Sequence, residues 1–183
     1  ARGNGRSYGD CSINKSNTID MSNFNRFLSF DDKTGLLVVQ SGVLLKDVID
    51  LFLPKKWFPA VTPGTKYATI GGMVASDVHG KNHHVNGSFG NHIIDLVIVD
   101  GLGQIQNLSP KKDANKSEKD KFWATIGGMG LTGIIIEATF SLISIKTSKI
   151  SVDTSKHNDI DSLMEKMVYC DNKFQYSVAW LDT

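Results

Sequence analysis

Excess charge of either sign is missing from this sequence: Lys and Arg total 20, Asp and Glu 19, for a net charge of +1. No global field draws such a chain to nucleic acid or to an anionic membrane, so any basic function is local and no nucleic-acid partner is expected. Long apolar runs are missing too. Stretches such as Leu96–Val99 and Ile134–Ile136 end at charge or glycine far short of the roughly 20 residues a membrane helix needs. The two cysteines, Cys11 and Cys170, lack CxxC spacing, which argues against a thiolate zinc site or a thioredoxin-type pair. The chain opens at Ala1 inside a glycine loop, without an initiator Met or a signal pattern, so a piece of a longer protein is expected.

Glycine, by contrast, is plentiful at 17 residues, and a 40% hydrophobic content suffices for the core of one large or two small domains. The densest stretch is Gly64–His92, GTKYATIGGMVASDVHGKNHHVNGSFGNH, which holds His79, His83, His84, His92 and Lys81. Glycines at this density let main-chain N–H groups approach a ligand closely, and the small residues Thr65, Thr69, Ala75 and Ser76 leave room for a flat or phosphate-bearing one. A nucleotide cradle is the working expectation. The opening decapeptide ARGNGRSYGD suits a turn that surrounds phosphate oxygens, and suits an ordinary surface loop equally well.

The elements follow from periodicity. Thr18–Met21 and Leu36–Gln40 read as strands joined as a hairpin across the polar turn 31–35. Leu45, Val48, Ile49 and Phe52 make a helical stripe over 44–53, stopped by Pro54. Trp57–Pro59 reads as extended, Ile70–Ser76 as a short buried helix, and Ile93–Val99 with Gln104–Leu108 as a strand–turn–strand. Lys111–Lys121 is charge-dense and reads as a solvated loop or ragged helix start. Ile134–Ile145 reads as a long strand. A stripe of Ile160, Leu163, Met164, Met167 and Val168 marks a helix capped by Asn158 or Asp159, and Phe174–Trp180 alternates like a half-buried strand. The hexapeptide ATIGGM occurs at 68–73 and again at 124–129. Two similar approaches to one extended ligand would explain the repeat, and so would chance.

RGNGRSYGD (2–10), PGTKYATIGGMVASDVHGKNHHVNGSFGNH (63–92), DGLGQIQNLSP (100–110), FWATIGGMGLTGIII (122–136) and SVAWLDT (177–183) together resemble the vanillyl-alcohol-oxidase-type flavoproteins, and among them the polyprenylphosphoryl-ribose oxidases. The resemblance implies an α+β fold: a two-subdomain FAD-binding domain over 1–149 lacking its N-terminal part, with the start of a C-terminal substrate domain at 150–183. It implies FAD held by Arg2, Gly3, Asn4, Gly5, Arg6, Ser7, Tyr8, Gly9, Asp10 and Cys11 around the pyrophosphate. Gly64, Thr69, Ile70, Gly71, Gly72, Ser76, Asp77, Val78 and His79 would line the cofactor further along, and Ile135 would hold the adenine end.

Relatives that bind FAD covalently carry histidine at the position of Arg6. Arginine cannot make that attachment, so the cofactor is expected to be non-covalent, with Arg6 a fixed cation near it. For His79 three roles stay open: cofactor or substrate contact, metal ligand, and structural histidine. The HxxxH spacing of His79 and His83 suits zinc only on a helix, which Gly80 and Asn82 disfavour, and no metal is expected. Lys81 is either a solvated side chain or a contact to substrate or its phosphate, while His83, His84 and His92 are expected to fasten the loop.

The implied activity is FAD-dependent oxidation of a sugar hydroxyl, at the 2′-OH of a polyprenylphosphoryl-β-D-ribose, with the main base and most substrate contacts outside this chain. The fragment alone is then not expected to turn over. An alditol or aldonolactone oxidase acting on a small polyol, an inactive FAD-binding module and a plain structural domain are the competing readings. A reductase acting on the keto product is the implied partner, and a cytoplasmic location with peripheral contact at the inner membrane the implied place.

Overall fold

The computed structural model describes residues 1–111 and 113–182. Lys112 of the charge-dense stretch and Thr183, which ends the SVAWLDT motif, lie outside the described residues. The centre is an antiparallel sheet of six strands in the order β1-β2-β6-β4-β5, with β3 also paired to β6. The strands are β1 (Phe27–Asp31), β2 (Leu36–Gln40), β3 (Trp57–Pro59), β4 (Ile93–Val99), β5 (Ile105–Leu108) and β6 (Ile134–Ser144). Helices α1 (Leu45–Phe52), α2 (Ile70–Ala75), α3 (His83–Asn86), α4 (Lys116–Thr125) and α5 (Ile160–Asp171) complete an α+β architecture.

β6 organises the sheet because its 11 residues are long enough to pair on both sides. It meets β2 from Leu36↔Ser141 to Gln40↔Glu137 and β4 from Ile93↔Phe140 to Val99↔Ile134. Alternation then sends Ala138, Phe140 and Leu142 inward, a register irregularity opposite Val97 and Ile98 brings Ile135 into the same core, and Phe140 meets Phe89 at a ring separation of 5.4 Å. Burial on a period of two along β6 and a period near 3.6 along α1 is the physical reason both elements form where the sequence places them. Leu45, Val48 and Phe52 of α1 close the same core.

Three expectations need correction. Thr18–Met21 is no strand: Asp20 makes a single bridge to Arg2, and Asn14 and Asp20 draw nearby backbone N–H groups into local turns that compete with a ladder. The partner of β2 begins instead at Phe27, so the turn at 31–35 closes the hairpin as read but joins a different strand. Phe174–Trp180 is not a strand either. Its backbone finds no ladder among the described residues, and Phe174, Val178 and Trp180 remain exposed. α4 is a full helix of 10 residues with Asn115 accepting from the Glu118 N–H, so local capping outweighs the charge density. A one-turn helix forms at His83–Asn86, where buried Asn82 anchors its start to the Ala60 carbonyl and to Asn86, and His79 lies outside it, so the HxxxH pair does not share a helix.

Among the described residues no helix is long and apolar enough to cross a membrane. α5 buries none of its residues, and its capping Asp159 accepts from the Ser162 N–H.

Candidate functional site

A cleft with ≈ 910 Å³ of empty space, counting its solvent-open mouth, runs between the opening loop, the start of α2, the loop after α4 and β6. Its walls follow from a few ties. Arg2 exchanges backbone hydrogen bonds with Ile19 and Met21, and Asn4 Nδ2 donates to the Tyr67 carbonyl, so the start of the loop is pinned at two points. Just after Asn4, Gly5 adopts φ +60° and curls over Arg2, whose Nη2 would lie 2.8 Å from any Cβ at that position. Arg6 places its guanidinium 5.7 Å from the Tyr67 ring centroid.

The donor inventory of this loop is unusual. Among the described residues no hydrogen bond uses the N–H of Gly3, Asn4, Gly5, Arg6 or Ser7, although all five residues line the cleft. Five successive residues with unspent N–H groups and two arginines therefore border one space. Asp20 is the nearby counter-charge to Arg2. Its carboxyl is held below the usual range chiefly by the Ser22 N–H, with the Arg2 charge a smaller contribution. The cleft keeps a cationic, donor-rich wall suited to an anion with several oxygens.

The opposite wall works differently from the sequence expectation. The N–H groups at the start of α2 are already spent: Ile70 on Val43 O, Gly71 on Ser41 O, Gly72 on Thr69 Oγ1 and Met73 on Thr69 O. Gly71 and Gly72 thus supply a smooth floor and not donors. A Cβ at Gly3 would come within 2.3 Å of Thr69 Oγ1, so the loop lies directly on the helix cap and needs glycine there.

The two ATIGGM copies take different shapes. The first runs from Ala68 through the Thr69 cap into α2, whereas the second leaves α4 through Gly127 at φ 70° and Met129 at φ 53°. The second is tied to the residues that directly follow the first, since the Gly127 N–H donates to Val74 O and the Met129 N–H to Ala75 O. Both copies reach one cleft, but as floor and as side wall.

Of the sequence-derived site residues, the cleft gathers Arg2, Gly3, Asn4, Gly5, Arg6, Ser7, Cys11, Thr69, Gly71, Gly72, Ser76, Val78 and Ile135. It does not gather the others. Tyr8 is 96% exposed beyond the rim, with Gly9 and Asp10 beside it, and Gly64 is exposed with open space where a Cβ would be. Ile70 is fully buried in the core with its N–H bonded to the Val43 carbonyl, so it is not part of the lining. Asp77 turns at φ 41° to accept the Gly90 N–H, so its carboxylate shapes the 88–92 turn.

His79 and Lys81 lie outside the cleft lining, next to Val78, which is inside it. His79 is exposed, bridges Ser88 and sets its ring 6.0 Å from that of His83. Lys81 holds its Nζ 5.4 Å from the Trp180 ring, and its carbonyl accepts the Ser177 N–H. His84 Nε2 meets the Phe174 carbonyl and His92 Nε2 the Asn86 carbonyl, both fastenings of the loop. No group of three or more potential metal-ligating residues occurs among the described residues.

Sequence reasoning missed Ser12, Met21, Ser41, Ala68, Met129 and Gly130 in the lining, whereas Ala75 is one of the small residues read from the sequence as leaving room there. The second ATIGGM copy was a signal for Met129. Ser41 gave none, because a serine following a strand is ordinary. In the structure it is 2% exposed, and its Oγ has no hydrogen-bond partner.

Comparison with known proteins bears on this cleft. The chain is 39% identical, over all of its own length and 39% of the relative's, to a decaprenylphosphoryl-beta-D-ribose oxidase of Mycolicibacterium smegmatis. It is 29% identical over 79% of its length to a D-lactate dehydrogenase of Anaerostipes hadrus, covering 30% of that protein. It is 30% identical over 77% of its length to a putative D-arabinono-1,4-lactone oxidase of Neurospora crassa, covering 24%. The chain thus spans well under half of these relatives. Residues 1–109, which carry the opening loop and α2, match the FAD binding domain family, and the chain belongs to that family.

Proposed function

We propose that this chain is the FAD-carrying part of an oxidoreductase that oxidises a sugar hydroxyl, with the 2′-OH of a polyprenylphosphoryl-β-D-ribose as substrate. The observation that carries the cofactor site is the row of five unspent N–H groups from Gly3 to Ser7, flanked by Arg2 and Arg6. That donor set fits a diphosphate, and the glycine floor of α2 fits the close approach of a flat dinucleotide. When bound, FAD supplies the acceptor for the hydride that leaves the carbinol carbon.

The chain's own residues bind and orient. Gly3–Ser7 with Arg2 and Arg6 hold the diphosphate oxygens, Gly71, Gly72 and Ala75 let the cofactor lie against backbone, and Ile135 packs on the adenine end. Arg6 in place of a histidine keeps the cofactor dissociable. Val78 leads from the cleft to His79 and Lys81, which we place at the substrate side, Lys81 as a cation for the substrate phosphate. The remaining substrate contacts and the proton acceptor belong to a second domain that begins within 150–183, the cofactor lying between two subdomains of the first. A polyprenyl-phosphate substrate would bring the protein peripherally to a membrane surface from the cytoplasm, and a keto product calls for a reductase that consumes it.

Acid precipitation of natively purified chain tests the cofactor reading. Flavin absorbance released to the supernatant is expected. Colour kept in the pellet would overturn the non-covalent assignment, and a colourless chain that takes up no added FAD would overturn the site. Substrate choice is read by flavin bleaching in the full-length protein: a polyprenylphosphoryl ribose should bleach it and D-lactate or an aldonolactone should not. The reverse result would place the protein with its lactate or lactone relatives.

A further inference from the structure

Ser41, a lining residue of the cleft, carries a hydroxyl that no group of the chain engages. Ser41 follows β2, and its main chain is fully engaged: the N–H donates to Ile136 O at 2.9 Å and the carbonyl accepts from Gly71 at 2.8 Å. The side chain is buried to 2% exposure, lines the cleft, and leaves Oγ without a partner. A buried hydroxyl without a partner costs stability, on the order of 1–3 kcal/mol in proteins, so its retention calls for a partner that arrives from outside. Gly71 packs against it so closely that a Cβ there would sit 2.7 Å from Ser41 Cβ, which fixes the side chain in place.

Resting on the FAD reading above, we infer that Ser41 is a cofactor-contact residue whose hydroxyl hydrogen-bonds the ADP half of FAD. Position within the cleft selects that half. Ser41 joins the start of α2 through Gly71 and the Ile135–Ile136 segment of β6 through its N–H. Ser76 and Val78, which lead toward His79, lie beyond the other end of α2, about 9 Å away along six residues of helix. The riboflavin half points that way, and the ADP half lies over Ser41.

The experiment compares wild-type and Ser41→Ala chains stripped of cofactor, by calorimetric titration with FAD, ADP and FMN, together with thermal unfolding of the apoproteins. Ser41→Ala is expected to bind FAD and ADP about tenfold more weakly, to bind FMN unchanged, and to leave the apoprotein midpoint equal or slightly higher because an unpartnered buried hydroxyl has gone. Unchanged FAD affinity in the variant overturns the inference while leaving the FAD reading intact. Loss confined to FAD and FMN overturns the assignment to the ADP half. A lowered apoprotein midpoint with equal loss for all three ligands assigns Ser41 a purely structural role and overturns it too. A wild-type chain that takes up no FAD overturns both readings.

Discussion

Single residues set the chemistry of this cleft through what they leave unbonded. Gly3 lies on the Thr69 cap, so Gly3→Ala forces its methyl onto the Oγ1 that accepts the Gly72 N–H. Loss of that cap costs about 1 kcal/mol and lifts the loop from its floor. Fluorescence titration is expected to show FAD affinity falling more steeply than the melting temperature. Arg6→Gln removes a guanidinium that has no ion pair among the described residues and is held only against Tyr67. FAD binding about tenfold weaker is expected, a charge-assisted hydrogen bond being worth about 1.5–3 kcal/mol before solvent screening, with a shallower salt dependence than wild type.

At the scale of elements, β6 and the hairpin turns divide the labour of stability. Phe140 is fully buried at the centre of β6, against Phe89. Phe140→Ala is expected to cost about 3–5 kcal/mol, read as a shifted urea midpoint with little change in slope. The turns add an acid-sensitive component. Asp100 accepts the Leu102 and Gln104 N–H groups and its carboxyl is held below the usual range, first by the Gln104 N–H. Asp31 is lowered likewise, first by the Thr34 hydroxyl. A carboxyl lowered by folding stabilises above its unfolded pKa of about 4 and loses that contribution as pH falls through the folded value. Thermal midpoints should therefore be flat between about pH 5 and 7 on this account and fall below about pH 4, and Asp100→Asn should flatten the acid limb.

Across the whole molecule, the packed sheet and the C-terminal stretch behave as different materials. Residues Lys146–Lys156 are exposed and outside any helix or strand, and α5 buries nothing, while the core ends with β6. Brief trypsin treatment is expected to cut first at Lys146, Lys149 or Lys156 and to leave a fragment that keeps the sheet, identifiable by mass. First cuts inside β4 or β6 would show that the sheet is not the stable unit. The tail still touches the His-rich loop through Ser177 to Lys81 and Phe174 to His84, contacts of the kind that open locally before the core does.

The sequence alone determined the elements with strong period and the identity of the opening loop. β2, α1, β4 and β6 stand where alternation or a helical stripe placed them, because burial on one face imposes those periods whatever surrounds them. Glycine spacing likewise marked Gly3, Gly5, Gly71 and Gly72, since a close approach leaves its trace as a missing Cβ. Tertiary structure decided what depends on partners distant in sequence. Phe27 became a strand residue and Ile19 did not because β2 could pair with only one of them. Phe174–Trp180 stayed irregular because its pattern has no ladder to join. Which N–H groups remain free was decided there as well: those of α2 are consumed by Val43, Ser41 and Thr69, those of Gly3–Ser7 are not, and no local pattern records that the Ser41 carbonyl will lie against the Gly71 N–H. That the Ser41 hydroxyl stays without a partner in the chain has the same cause, since hydrogen-bond accounting closes only when the whole chain is folded.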